Sequence, residues 1–365
     1  MSSVTKPREA DEVLFERRGR VGHIILNRPA AMNALTIWMV NDIRGQLDQW
    51  EADDGVETVL ISGAGERGLC AGGDIVALYR EVRSGGTGAA DFWADEYTLN
   101  ARIANFPKPY VALMDGVVLG GGVGISAHGS VRVVTERTKI GMPEVTIGFV
   151  PDVGGTWLLA NAPGELGTHA GLTGGAFTGA DAIALGLADY FVPSDRLEAL
   201  VTALESTPAT DALMQFSEDP PPSALLAAQS WIDECYAGND AAEIVHRLAA
   251  SPIEDAQSAA TVIRSKSPTA VAVTLESLRR AGVLGSLEDV LNQEYRVSRG
   301  FAAGTEMLEG IRAQVIDKDR QSKWSPPMLE EVRRSDVDRY FEPHGDRELG
   351  LIAATLETSH TGAEA

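Results

Sequence analysis

Short apolar runs that end in turn residues recur through the first half of the chain. The clearest occupy residues 21–26, 56–62, 109–114 and 131–135. Between the first two runs, Ile43, Leu47 and Trp50 recur at helical spacing behind Thr36, a residue type that caps helices well. Strands that alternate with helices predict an α/β fold.

Helical spacing dominates from about residue 194 onwards. Ser267-Pro268 is a typical helix start and Gly282 a typical stop, and Ser286 precedes a second long amphipathic segment. The proline run at residues 219–222 marks a stiff break in the chain. We therefore predict three parts: a core at residues 1–200, a mainly helical region at 201–343, and a flexible tail at 344–365.

Composition narrows the class of protein. The 365 residues include 31 Lys and Arg against 52 Asp and Glu, a net charge of −21, which argues against a nucleic-acid partner. A small anionic ligand is still compatible with this charge, because a local basic cluster or a helix N-terminus can hold one. The two cysteines, Cys70 and Cys235, form no CxxC pattern, and the six histidines form no metal-binding motif. We expect a cytoplasmic protein without a metal, since residues 1–12 are also polar and acidic.

The nearly uncharged segment at residues 109–127 needs a separate interpretation. Asp115 and a glycine cluster interrupt it, so we predict a buried strand, a glycine turn and a helix start, and no membrane span. Residues 122–127 match GxGxxA, but Glu144, the following acid, does not end a strand as a dinucleotide site requires. Ser126 and His128 are two residues apart on a predicted helix and do not face each other, so a serine nucleophile is disfavoured.

Two glycine-rich turns are the best candidates for a site built from backbone groups. Residues 68–74 and 120–124 each end a strand-like segment and open a helix. Glycine permits close approach of a ligand, and two N–H groups that converge on one oxygen form an oxyanion hole. A third segment, residues 142–155, places Glu144 and Asp152 in apolar surroundings, where carboxyl pKa values rise and acid–base chemistry becomes accessible.

Four segments in order resemble the crotonase, or enoyl-CoA hydratase/isomerase, superfamily. They are NRPxxMNAL at 27–35, GLCAGGDI at 68–75, KPYVALMDGVVLGGGVG at 108–124 and MPEVTIGFVPDVGG at 142–155. The resemblance implies a spiral of ββα units, an acyl-CoA substrate, and an oxyanion hole made by the backbone N–H groups of Ala71 and Gly121. The superfamily commonly forms trimers or dimers of trimers, so a homo-oligomer is expected, although additional C-terminal helices can occupy that interface.

Two departures from the hydratase pattern indicate a branch of the superfamily. Gly124 stands where hydratases have one of two glutamates, whereas Glu144 is kept and Asp152 is gained. This pattern is similar to the 3-hydroxyisobutyryl-CoA hydrolase family, in which Glu96 would also be a pocket residue. Further similar motifs lie in the longer C-terminal region, at residues 267–269, 294–296, 309–313, 316–320 and 323–324.

The resemblance implies a thioester hydrolase that acts on a short 3-hydroxyacyl-CoA, most closely 3-hydroxyisobutyryl-CoA, in valine breakdown. Glu144 and Asp152 would be catalytic, Glu96 and Gly121 would join them in binding substrate, and no cofactor would be needed. Which carboxylate activates water, and whether an acyl-enzyme anhydride forms, stays open. The alternatives are an enoyl-CoA hydratase or isomerase, and a non-catalytic acyl-CoA-binding protein of the same fold.

Overall fold

A computed structural model describes residues 11–353 of the chain. The strands of this part are β1 (Val13–Arg18), β2 (Val21–Leu26), β3 (Thr58–Gly63), β4 (Tyr110–Met114), β5 (Val117–Leu119), β6 (Val131–Val134), β7 (Lys139–Gly141), β8 (Phe177–Thr178) and β9 (Tyr190–Phe191). The four strands predicted from apolar runs are confirmed as β2, β3, β4 and β6. Strand β1 was not predicted, because its sequence VLFERR has only a short apolar start.

Two sheets form from these strands. The larger has the order β1-β2-β3-β4-β6-β9, with β1 antiparallel to β2 and the other pairs parallel. The smaller has the order β5-β7-β8. Its three strands are only two or three residues long, too short for a periodicity signal in the sequence. The α/β prediction is confirmed.

Helices connect the strands and fill the second half of the described chain. They are α1 (Ile37–Ala52), α2 (Ile75–Ser84), α3 (Gly88–Ala104), α4 (Gly121–Gly124), α5 (Gly155–Ala160), α6 (Leu166–Thr173), α7 (Gly179–Ala184), α8 (Leu197–Leu204), α9 (Ala209–Phe216), α10 (Ala224–Ala227), α11 (Gln229–Tyr236), α12 (Ala241–Ala250), α13 (Glu254–Arg264), α14 (Pro268–Ala281), α15 (Leu287–Ala302), α16 (Glu306–Ile311) and α17 (Arg334–Asp338).

Side-chain caps start the helices where the sequence predicts them. Thr36, Ser267 and Ser286 each accept a hydrogen bond from the backbone N–H three residues on, at the starts of α1, α14 and α15. Gly282 follows the last residue of α14 as expected. The Ser286 cap fixes the residue at which α15 begins. The buried face of this helix contributes to the site described below.

The helical region packs directly on the first half of the chain. One continuous apolar core joins side chains from the sheets, such as Ile24 and Ile61, to side chains of α14 and α15, such as Leu275 and Phe301. The division at residue 200 stays a prediction.

The tail that we assigned to residues 344–365 is in contact with the body over its first ten residues. Glu348 forms an ion pair with Arg296 at 2.6 Å. The Asn292 side-chain amide donates to the Leu351 carbonyl through Nδ2 and accepts from the Leu351 N–H through Oδ1. The rest of that predicted tail, residues 354–365, lies outside the described residues.

The uncharged segment at residues 109–127 folds as β4, β5 and the short helix α4, close to the predicted strand, glycine turn and helix start. Within residues 11–353, none of the helices combines the length and apolar character needed to cross a membrane.

Candidate active site

The two glycine-rich turns lie side by side because β5 connects them. The Cys70 N–H donates to the Val117 carbonyl at 3.1 Å, and the Leu119 N–H donates to the Cys70 carbonyl at 3.0 Å. β5 then leads directly into the second turn, which begins at Gly120. Gly72 and Gly120 have φ values of +104° and +52°, conformations that glycine adopts without strain. The local sequence thus brings two loops of exposed backbone N–H groups to one place.

Among the N–H groups at this meeting point, those of Gly73 and Gly121 have no hydrogen-bond partner within the described residues. They are close together: a Cβ atom placed on Gly121 would lie 3.4 Å from the Gly73 nitrogen. The Ala71 N–H, in contrast, donates to the Met32 carbonyl at 3.0 Å. The prediction that Ala71 supplies an oxyanion-hole donor therefore needs correction, because that N–H already has a partner. In the same turn, the N–H group that is free to bind a ligand is that of Gly73.

Two carboxyl groups stand against these glycines. Glu96 lies in α3 and is 2% exposed, and a Cβ atom on Gly121 would lie 2.6 Å from its Oε1. Glu144 opens a 3₁₀ turn, Glu144–Ile147, and its Oε1 would lie 2.6 Å from a Cβ atom on Gly120. One oxygen of each carboxyl has no partner. The absence of side chains on Gly120 and Gly121 therefore leaves room for both carboxyl groups beside the free N–H groups.

Asp152 is held by a hydrogen-bonded chain from two helices. The Tyr97 hydroxyl, in α3, donates to Asp152 Oδ2 at 2.7 Å. The same hydroxyl lies 2.8 Å from the Ser298 hydroxyl in α15. Asp152 and Tyr97 are both buried, so the hydrogen bond fixes the orientation of the carboxyl group in a site shielded from water.

The loop that follows Asp152 is anchored from the helical region and from the turn after α4. Glu294 in α15 accepts from the Gly154 N–H at 2.6 Å, and from the N–H and hydroxyl of Thr156 at 2.9 and 2.6 Å. His128 Nε2 lies 2.8 Å from the Val153 carbonyl oxygen. Val153 has a φ of +55°, which is strained for a β-branched residue, and these anchors hold it there.

The site therefore contains four buried carboxyl groups, those of Glu96, Glu144, Asp152 and Glu294. None of them takes part in an ion pair with a basic side chain of the described residues. Burial, reinforced by the charge of Asp152, raises the pKa of Glu96 and of Glu144 well above the usual value. Burial raises the pKa of Asp152 to about 7, although the Tyr97 hydrogen bond lowers it, and raises that of Glu294 to about 8. Of Glu144 and Asp152, Asp152 is the group that ionises near neutral pH.

Gly124 leaves no space for the glutamate that hydratases have at this position. A Cβ atom there would lie 2.6 Å from Val153 Cβ and 2.8 Å from Asn100 Nδ2. Both neighbours are fully or almost fully buried and cannot move aside into solvent. The site therefore has Glu144 and Asp152, and no carboxyl group at residue 124.

The other candidates from the sequence have structural roles. The Ser126 hydroxyl donates to the Gly122 carbonyl at 2.6 Å, and His128 supports Val153 as described above. Cys70 is buried, and burial raises the pKa of its thiol to about 12, so it is not a reactive thiolate.

Sequence reasoning did not assign roles to several residues that complete the site. Tyr97 directly follows Glu96, and Glu294 stands in a motif quoted above, but neither spacing shows what it contacts. Gly73 lies two residues after Ala71, the residue that the resemblance indicates. The Ala71 N–H is occupied because it donates to the Met32 carbonyl, whereas the Gly73 N–H is free. Met32 belongs to a distant segment of the chain, so the sequence of the turn itself does not show this difference.

Comparison with known proteins establishes the class. The sequence matches the Enoyl-CoA hydratase/isomerase family over residues 21–341. The chain belongs to this family, and its fold is the crotonase-type α/β fold followed by a helical C-terminal region.

Three similar proteins illustrate the range of names within the family. "3-Hydroxyisobutyryl-CoA hydrolase, mitochondrial" of Rattus norvegicus is 40% identical and covers 95% of this chain and 92% of its own. A crystal structure of a carnitinyl-CoA dehydratase from Mycobacterium thermoresistibile has a TM-score of 0.90 and 52% identity, over 93% of this chain and 98% of its own. A crystal structure of an enoyl-CoA hydratase from Rhodobacter sphaeroides 2.4.1 has a TM-score of 0.88 and 43% identity, over 93% of this chain and 100% of its own.

Proposed function

We propose that this protein is a thioester hydrolase that cleaves 3-hydroxyisobutyryl-CoA to 3-hydroxyisobutyrate and coenzyme A, a step of valine breakdown. The observation that carries the proposal is the pair of buried carboxyl groups Glu144 and Asp152, of which Glu144 adjoins the turn with the free N–H groups, with no carboxyl group at Gly124. The similarity to a named 3-hydroxyisobutyryl-CoA hydrolase over nearly the whole chain supports the same assignment.

The N–H groups of Gly73 and Gly121 would bind the thioester carbonyl oxygen. Negative charge develops on that oxygen when a nucleophile adds to the carbonyl carbon. Two preorganised donors in a buried site stabilise this charge, and the loss of one such donor raises the barrier by about 3–4 kcal/mol. Glu96 and Glu144, which adjoin Gly121 and Gly120, would border the bound acyl group.

Asp152 and Glu144 would divide the proton transfers according to their pKa values. Asp152, ionised above about pH 7, takes a proton from water as the water oxygen bonds to the carbonyl carbon. Glu144, whose pKa burial raises well above its usual value, donates a proton to sulfur as the carbon–sulfur bond breaks. The proton that Asp152 took from water then passes to Glu144, which restores both groups, and the acid product releases its own proton to solvent. Direct attack by a carboxylate would instead form an anhydride, and a single turnover in ¹⁸O-water separates the two routes by labelling the protein carboxyl group only in the second.

Assays of two reactions on purified protein test the proposal. We expect free thiol to be released from 3-hydroxyisobutyryl-CoA, and no hydration of crotonyl-CoA. Hydration without thiol release would identify an enoyl-CoA hydratase, the function in the name of the Rhodobacter sphaeroides structure. Binding of acyl-CoA with neither reaction would identify a non-catalytic protein.

The remaining elements of the proposal concern surroundings and cofactors. We propose that hydrolysis needs no metal or redox cofactor, and undiminished turnover after dialysis against EDTA would support this. We also propose a cytoplasmic location, which the two unpaired, buried cysteines suit, and cell fractionation tests it against the mitochondrial location in the name of the rat relative. Light scattering determines whether the protein is a homo-oligomer.

A further inference from the structure

Asn100 is a fully buried side chain whose amide has no hydrogen-bond partner. Its exposed fraction is 0%, and both Nδ2 and Oδ1 lack a partner among the described residues. An unsatisfied buried polar group costs about 1–3 kcal/mol, so an amide kept in this state usually meets a ligand or an ordered water.

The position of Asn100 connects it to the active site. It lies one turn after Glu96 on the same face of α3. Glu96 stands against Gly121, and Asn100 stands against Gly124, one turn further along the second glycine segment. The amide is therefore next to the site and one helical turn beyond the proposed oxyanion donor at Gly121.

Unpaired buried atoms are concentrated at this place. Glu96 Oε1 and Glu144 Oε2 lack partners as Asn100 does, and the three side chains line one region. The other unpaired buried side-chain atoms of the described chain lie elsewhere, in His23, in Thr274 and Ser277 of α14, and in Ser322. A cluster of unsatisfied acceptors and donors is typical of a site that is completed by its ligand.

We propose that Asn100 binds the 3-hydroxyl group of the acyl chain and so selects hydroxylated substrates. The inference rests on the proposed hydrolysis of a 3-hydroxyacyl-CoA. A primary amide matches a hydroxyl group, because Nδ2 donates to the hydroxyl oxygen while Oδ1 accepts its proton.

The dimensions agree with this assignment. Residues three apart in a helix are separated by about 4.5 Å along its axis. Four bonds of about 1.5 Å join the thioester carbonyl oxygen to the 3-hydroxyl oxygen. The reach of the acyl chain from a carbonyl oxygen bound at Gly121 therefore matches one helical turn, the separation between Gly121 and Gly124, against which Asn100 packs.

Asn100→Leu tests the proposal through the ratio of kcat/KM for 3-hydroxyisobutyryl-CoA to that for isobutyryl-CoA, which lacks the hydroxyl group. We expect the ratio to fall at least ~10-fold, because a site built to pair with a hydroxyl group discriminates strongly against its absence. We also expect an unchanged or higher melting temperature, because the substitution breaks no internal hydrogen bond.

Thr274→Val is the matched control, since Thr274 also has a buried hydroxyl group without a partner but lies in α14, against Gly171. It should leave the substrate ratio unchanged. Asn100→Ser, which keeps one polar group, is the second variant, and we expect an intermediate ratio.

Four results would overturn the proposal. An unchanged ratio in Asn100→Leu, with the rates on both substrates also unchanged, would assign the hydroxyl group to another residue, such as Glu96. An equal loss with both substrates, or failure of both Asn100 variants to fold, would show a structural role. A wild-type protein that releases thiol from neither substrate would overturn the proposed function itself, which the first results leave intact.

Discussion

In the proposed mechanism, the hydrogen bond from Tyr97 to Asp152 sets the pH range in which the site can work. Its O–O distance is 2.7 Å, and it lowers the pKa of Asp152, which burial otherwise raises, to the net value of about 7. Tyr97→Phe removes the donor and leaves the ring. Since the bond favours the ionised carboxylate, its loss raises the pKa of Asp152, and the acid limb of the rate profile moves to higher pH.

The size of this displacement follows from the strength of the bond. A hydrogen bond to a charged group contributes roughly 1.5–3 kcal/mol. One pH unit corresponds to about 1.4 kcal/mol, so the acid limb of kcat/KM should move up by about 1–2 pH units. The assay is thiol release between pH 5 and 10, with the wild-type midpoint expected near pH 7.

Tyr110→Phe is the matched control for this prediction. Tyr110 is as fully buried as Tyr97, but its hydroxyl donates to the Ile125 carbonyl at 3.1 Å, away from the carboxyl groups. It should lower stability without moving the acid limb. An unmoved limb in Tyr97→Phe, or equal movement in both variants, would refute the assignment of Asp152 as the group that must ionise.

Three further changes test other parts of the site. Gly121→Ala should reduce kcat/KM per folded molecule at least ~10-fold in the thiol assay, because the new Cβ atom, 2.6 Å from Glu96 Oε1, disturbs the carbonyl site. Gly124→Glu should lower the melting temperature and yield no hydration of crotonyl-CoA, since its Cβ atom would overlap Val153. Asp152→Asn should gain stability relative to wild type as the pH rises, by about 2–3 kcal/mol between pH 5 and 8 in urea unfolding.

The sign of the stability change in Asp152→Asn follows from the raised pKa of the Asp152 carboxyl group. Between pH 3.8, the ordinary pKa of an aspartate, and about pH 7, folded Asp152 keeps a proton that the unfolded chain releases, so the wild-type free energy of unfolding falls as the pH rises. A constant difference between the unfolding free energies of wild type and Asp152→Asn across this range would contradict the raised pKa.

For Gly121→Ala, the control is Gly45→Ala at an open helix position, where full activity is expected. Hydration by Gly124→Glu would show that residue 124 alone separates hydrolase from hydratase.

Local features were predictable from the sequence, and contacts between distant segments were not. Apolar runs located β2 and β4, and capping residues located α14 and α15, because both signals depend on neighbours in the chain. The two glycine turns and the pair Glu144 and Asp152 were also found, with the family resemblance providing their meaning.

The errors and omissions have a common physical cause. The resemblance indicates Ala71, and only the hydrogen bond from its N–H to the Met32 carbonyl shows that this group is occupied. The support of Asp152 by Tyr97, and of its loop by Glu294, depends on packing of α15 against α3, which joins residues about 200 positions apart. No periodicity or motif spacing encodes such a contact.

The most direct test of the central claim compares thiol release from 3-hydroxyisobutyryl-CoA by wild type, Glu144→Gln and Asp152→Asn. Glu288→Gln is the control, because Glu288 is also a buried acid but pairs with Asn105 outside the site. The proposed acid–base roles predict measurable wild-type and control turnover, and a fall in kcat of roughly 10²-fold or more in each of the other two variants. Near-normal turnover in Glu144→Gln and Asp152→Asn would contradict the claim that these carboxyl groups hydrolyse the thioester.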